Sequence, residues 1–150
     1  MDDEIPPLRP PDQMPPIHTS QDMYRHWRAL MGELGFSRRL LWFGFVTDDG
    51  WMASQLHQVE DLPGTPDGLR LDHLMGICLE SLRVVDECGT VAFLVSRPGS
   101  ARMTDGDRCW ARELSAAAVR VGVRLQPIHL ATDEALRVFA ADDLIPLQRA

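Results

Sequence analysis

From Val95 to Asp107 the chain reads VSRPGSARMTDGD, an apolar strand end that leaves through Pro and Gly and enters a helix with an acidic start. In many enzymes a turn of this outline carries metal ligands or cradles a phosphate, yet this one holds neither His nor Cys. Thr104 and Asp107 form Thr-x-x-Asp directly before an apolar-periodic helix. That is the spacing of a capping box, in which two side chains satisfy backbone N–H groups left over at a helix start. Alternatively, Gly99, Ser100 and the first helical amides, with Arg97 and Arg102 beside them, present donors to a small anion or nucleotide phosphate at the positive end of the helix dipole. Asp105 and Asp107 oppose this second reading, because two carboxylates at one helix end complement the dipole themselves and repel an anion.

Other chemistry-bearing residues are more scattered. His57 and Glu60 stand three apart on an expected strand and so face opposite sides. His73 falls on a helix and His129 in an apolar strand, and no two His residues have the i, i+4 spacing of a helical metal site. Ser96, Ser100 and Ser115 lack the Gly-x-Ser-x-Gly context of a nucleophile elbow. Cys78, Cys88 and Cys109 are odd in number and lack zinc-type spacings, which predicts free thiols in a reducing compartment. Trp51 and Met52, with His57 nearby, form a candidate apolar interaction surface at a hairpin tip.

The elements that must position these residues follow from periodicity. Six of the eleven prolines fall in the first sixteen residues, so residues 1–19 read as a disordered, acidic, Pro-rich tail and 20–150 as one domain. Ser20 offers a cap for a helix in which Met23, Trp27, Leu30, Met31 and Leu34 recur at helical spacing, with Gly35 as its stop. RLLWFGFVT, DDG and WMASQLHQVEDL then read as strand, turn and returning strand. A helix follows PGTPDG, with Leu71, Leu74, Met75, Cys78, Leu82 and Val85 on one face. TVAFLV is short and uniformly apolar, as a buried central strand requires. The next helix starts near Thr104, buries Trp110, Leu114, Ala117, Ala118 and Val121, and ends at Gly122. VRLQPIHLA and ALRVFA are two closing strands around TDE. The expected fold is a single α/β domain: a mixed sheet with opening and closing hairpins, helices packed on it, and the order helix, strand, strand, helix, strand, helix, strand, strand.

That order, with VAFLVSRPGS, TDGD and GVRLQPIHLATDEALRVFA in sequence, resembles the JAB/MPN metalloprotease-like fold, and its RadC-like branch most closely. The resemblance spans residues 38–140. It places the family's two zinc-binding His positions at Val95 and Arg97, its metal-ligating Asp at Asp107 and its Ser at Thr104. The family's catalytic Glu falls in RRLL, which contains no acid. A catalytic zinc needs about three protein ligands and an open position for water, and one carboxylate does not provide that. The resemblance therefore implies a member that has lost its metal site, with no metal or cofactor. Arg97, in the place of a ligand, is expected to pair with Asp107 and so replace a metal cation by a protein one.

Composition bounds the rest. A chain of 150 residues, 45% hydrophobic and 25% charged, is that of a globular domain, and no apolar run approaches the roughly 20 residues of a membrane span. The acidic start has no apolar core of a secretory signal, which predicts a cytoplasmic protein. A net charge of −7 argues against a nucleic-acid coat. All fifteen basic residues are Arg, a bias of GC-rich genomes such as those of actinobacteria, which makes any single Arg less telling. The expected function is a non-catalytic domain acting through a protein partner or homo-oligomer. The alternatives are an anion- or nucleotide-binding domain using the 96–107 turn, and a metal-dependent hydrolase with a site rebuilt from Asp107, His57 or His129.

Overall fold

The computed structural model describes residues 4–63 and 65–144. Three helices, α1 (Ser20–Met31), α2 (Gly68–Val85) and α3 (Asp105–Val121), accompany five strands, β1 (Leu40–Val46), β2 (His57–Val59), β3 (Thr90–Ser96), β4 (His129–Ala131) and β5 (Leu136–Val138). The strands form one mixed sheet in the order β2-β1-β3-β4-β5. β1 pairs antiparallel with β2 and β3, β3 parallel with β4, and β4 antiparallel with β5. The α/β architecture with opening and closing hairpins is as the sequence leads one to expect.

The uniformly apolar β3 is central because both of its faces are covered. Strand side chains alternate between faces, so Val91, Phe93 and Val95 join Phe43, Met75, Trp110 and Leu114 in the core under α2 and α3. Ala92 and Leu94 turn the other way and pack with Met23 and Trp27 of α1. The sheet thus lies between α1 on one side and the α2/α3 pair on the other.

Several boundaries differ from expectation. α1 is capped by Thr19, whose hydroxyl accepts from the Asp22 amide while Asp22 accepts from the Thr19 amide. This capping box outcompetes Ser20, which lacks an acid at the matching position. The helix ends at Gly32, with φ 60°, so Leu34 and Gly35 lie beyond it. Val85, at the last turn of α2, is 41% exposed rather than facing the core. The strand expected over 51–62 survives as β2 and a lone bridge from Met52 to Val46. Three steps along β1 from Phe43 to Val46 face five on the return from His57 to Met52, so two residues bulge out. Side chains of Met52 and Leu56 fill the space over Gly44 instead. Pro127 interrupts the strand expected from Val123, leaving a bridge from Leu125 to Val91 before β4 begins.

The expected tail also changes character near its end. Met14 and Ile17 are buried, and the Ile17 amide donates to the Gly50 carbonyl at 2.7 Å. Pro11–Gln13 forms a turn of 3-10 helix. The packed unit therefore begins before residue 20, because Met14 and Ile17 find cover beside α1 and the first hairpin, whereas Ile5 and Leu8 stay exposed.

Candidate functional site

β3 delivers Arg97 to the start of α3. The ladder to β4 runs one residue past the strand, with the Arg97 amide donating to the Ala131 carbonyl at 3.0 Å. Residues two apart on a strand share a face, so Val95 and Arg97 both point to the α3 side. Val95 is wholly buried in the apolar core, and Arg97, 7% exposed, lies at its rim.

There the guanidinium meets Asp107 in a bidentate pair, Nε to Oδ1 at 2.8 Å and Nη2 to Oδ2 at 2.7 Å. Its other donors reach the carbonyls of Pro98 (3.0 Å), Ser100 (3.2 Å) and Arg102 (2.9 Å). All five N–H groups of the side chain are thereby used. Asp107 has no exposed surface, and its Oδ2 also accepts the Thr104 amide at 2.9 Å while the Thr104 hydroxyl accepts the Asp107 amide at 3.1 Å. Capping box and ion pair are thus one network. Burial pushes the Asp107 carboxyl up, but the Arg97 bond, the Thr104 bonds and the guanidinium charge together hold it below the ordinary carboxylate range. The bond to Asp107 raises the Arg97 guanidinium in turn, against the cost of burial.

The turn between them is held from the opposite side by the β4–β5 connection. The Gly99 amide donates to Asp133 at 2.8 Å and the Ala101 amide to Glu134 at 2.6 Å. Arg137 donates to the Ala101 carbonyl at 3.1 Å, and Asp133 also accepts the Phe36 amide at 2.8 Å. Gly99 has φ 102°, a conformation that favours glycine at this bend. Of the donors an external anion would use, three are directed at internal partners: the Gly99 amide at Asp133, the Arg97 guanidinium at Asp107 and three carbonyls, and the Thr104 amide at Asp107. Ser100 and Arg102 contribute carbonyl oxygens, which repel anions.

Asp133, Glu134 and Arg137 are members of this site that sequence reasoning missed. TDEAL reads as turn residues, and over thirty residues separate it from the amides it holds. The acids' only local signal is that they exceed what a tight turn needs.

The remaining candidates are dispersed. His57 stacks on Phe43 (ring centroids 4.9 Å, 21°) and meets Phe45 edge-on. His129 is buried in β4, its Nδ1 3.0 Å from the Pro127 carbonyl and its Nε2 without a partner. Burial pulls its pKa down to about 4, so the ring is neutral near pH 7. Among the described residues no group of three or more His, Cys, Asp or Glu is placed to hold a metal ion. At the hairpin tip Trp51 is 40% exposed and Met52 is largely buried, and the two border one open hollow together with Pro11 and Asp12. Likewise, among the described residues no helix is long and apolar enough to cross a membrane.

No family model and no curated protein matches this chain.

Proposed function

We propose that this chain is a non-catalytic domain of JAB/RadC-like order that acts by protein contact, with a partner or with a second copy of itself. The observation that carries this reading is the saturation of the Arg97–Asp107 network. A guanidinium stands where the resemblance puts a metal ligand, its five donors are used, and its carboxylate partner is sealed from solvent. Such a centre has no open position for substrate or activated water. It instead fixes the course of the turn and the start of α3.

A surface suited to contact lies elsewhere on the same side of the sheet. Leu62, Leu74, Ile77 and Trp110 line an apolar groove of about 410 Å³ beside the edge strand β2. Ile77 is 49% exposed there, and Val84, two turns along α2, is 88% exposed. Exposed apolar side chains bordering a concave apolar surface are the usual anatomy of a contact patch.

Light scattering across a concentration series, with Ile77→Asp as the comparison, tests self-association. Capture from a lysate with the same variant tests a partner. Loss of association in I77D supports the reading. A strict monomer with no partner that I77D releases would remove it, as would near-stoichiometric zinc in protein purified without chelator.

A further inference from the structure

The proline-rich segment before α1 leaves a hollow beneath it. Met14 and Ile17 anchor the segment's end, and the Arg9 amide donates to Met14 Sδ at 3.4 Å, which closes a small loop over residues 9–14. Between this loop and the first turns of α1 lies a cavity of about 490 Å³. That volume is within the range of sites that enclose small molecules.

Its walls divide by chemistry. Pro6, Pro7, Pro15 and Pro16, with Met14, supply rigid apolar surface. Arg9 and Arg25 supply two guanidinium groups, neither of which forms an ion pair among the described residues. His26 also lines the cavity, is 6% exposed, and has an Nδ1 without a hydrogen-bond partner. An unpartnered buried ring nitrogen is costly, and an apolar residue would avoid the cost if packing were the only demand here.

Charge narrows what fits. Asp22 lies in the wall, but its Oδ2 is engaged by the amides of His18 (2.9 Å) and Thr19 (3.0 Å), which hold its carboxyl below the ordinary range and keep it ionised. Burial holds His26 below its ordinary value, so the imidazole is neutral. Two guanidinium charges thus face one carboxylate. That balance matches a monoanion better than a dianion, and the proline and methionine walls match an apolar body.

We propose that this cavity binds a small organic acid, one carboxylate on an apolar body, with Arg9 and Arg25 on the carboxylate, His26 beside it, and the prolines and Met14 against the body. The site is separate from the 96–107 turn and does not depend on how the domain associates.

Nuclear magnetic resonance of the full chain, titrated with benzoate, hexanoate and inorganic phosphate, tests it. Saturable shifts are expected at the His26 ring and the Met14 methyl with both organic acids, and weaker binding of phosphate. Arg9→Gln and Arg25→Gln change exposed side chains, so the spectrum should retain its folded dispersion. Each should weaken benzoate binding by about tenfold, as expected for loss of a charge-assisted hydrogen bond, while Arg70→Gln on α2 should leave it unchanged. Absence of saturable shifts with benzoate and hexanoate at millimolar concentration would overturn the proposal. So would unchanged affinity in the Arg9→Gln, Arg25→Gln double variant, or phosphate binding as tightly as benzoate.

Discussion

The Arg97 guanidinium and the Asp107 carboxylate lie face to face, joined by parallel bonds of 2.8 and 2.7 Å, with Asp107 wholly buried and Arg97 nearly so. One end of the pair is fixed to the exit of β3 and the other to the first turn of α3. The relationship therefore couples a strand to the helix that follows it, and the loop carbonyls are organised around the cation.

Removing either partner should cost far more than removing a surface ion pair. Asp107→Ala leaves a buried guanidinium short of a counter-charge, and Arg97→Ala leaves a buried carboxylate and three loop carbonyls short of donors. Each should lose about 3–5 kcal/mol of unfolding free energy. Urea denaturation of the two single variants and the double should show strong non-additivity, with the double much less destabilised than the sum. Additive losses would mean that the pair acts as two independent groups.

The caps differ in a way that single substitutions resolve. Thr19→Ala removes the hydroxyl that accepts the Asp22 amide and should cost about 1 kcal/mol, whereas Ser20→Ala should be close to neutral. Helical content and denaturation midpoints of both variants provide the check. A larger loss for Ser20→Ala would move the cap to that residue.

Acid should weaken the fold in two stages. His129 titrates near 4 when folded against 6.5 as a free side chain, so between those values the unfolded chain binds a proton that the folded chain refuses. Stability then falls with falling pH across that window, by about 3 kcal/mol in all. Asp107 has a depressed folded value, so its contribution is complete above the ordinary carboxylate value and is lost only as pH falls through the folded one. His129→Leu should reduce the slope between pH about 6.5 and about 4, leaving the part that buried His26 contributes, and leave the more acidic loss in place. An unchanged slope in that variant would show that another group sets it.

Gly50 has φ 93°, and a Cβ added there would lie 2.9 Å from both the amide nitrogen and the carbonyl oxygen of Ile17. Gly50→Ala should therefore cost about 2 kcal/mol or more and loosen the segment before α1. Gly122→Ala meets no neighbour, so it carries only the strain of a left-handed residue and should cost less. Limited proteolysis should cut before residue 20 sooner in Gly50→Ala. Equal protection in the two variants would mean that the Ile17–Gly50 contact does not hold the segment.

The three thiols should react in a fixed order. Cys88 is exposed, Cys109 is half-buried, and Cys78 is buried, with burial pushing its thiol up to about 12. A thiolate reagent near neutral pH should modify Cys88 first and reach Cys78 only on unfolding. Fast labelling of Cys78 in the native state would contradict its place in the core.

Much of the frame was legible along the chain because local rules govern it. The uniform TVAFLV run announced a central strand, since only a strand covered on both faces is apolar at every position. Thr104 and Asp107 announced the start of α3, since a capping box needs only residues three apart. The bond between Arg97 and Asp107 was expected on different grounds, from the resemblance that puts Arg97 in the place of a metal ligand, and no local rule announces it. What the chain did not display was set by neighbours distant in sequence. Asp133 and Glu134 hold the turn only because β4 lies parallel to β3 and brings their loop beside Gly99 and Ala101. Ile17 is held where Gly50 brings the first hairpin against it, Met14 lies beside Leu30 and Met52, and His26 lines a cavity only because the proline-rich segment arches over α1. Local sequence determines where elements begin, end and present their apolar faces, because those choices depend on residues within a turn or a strand. Which carboxylate satisfies which amide, and which polar ring is buried without a partner, depends on the packing of the whole sheet, and that is decided in three dimensions.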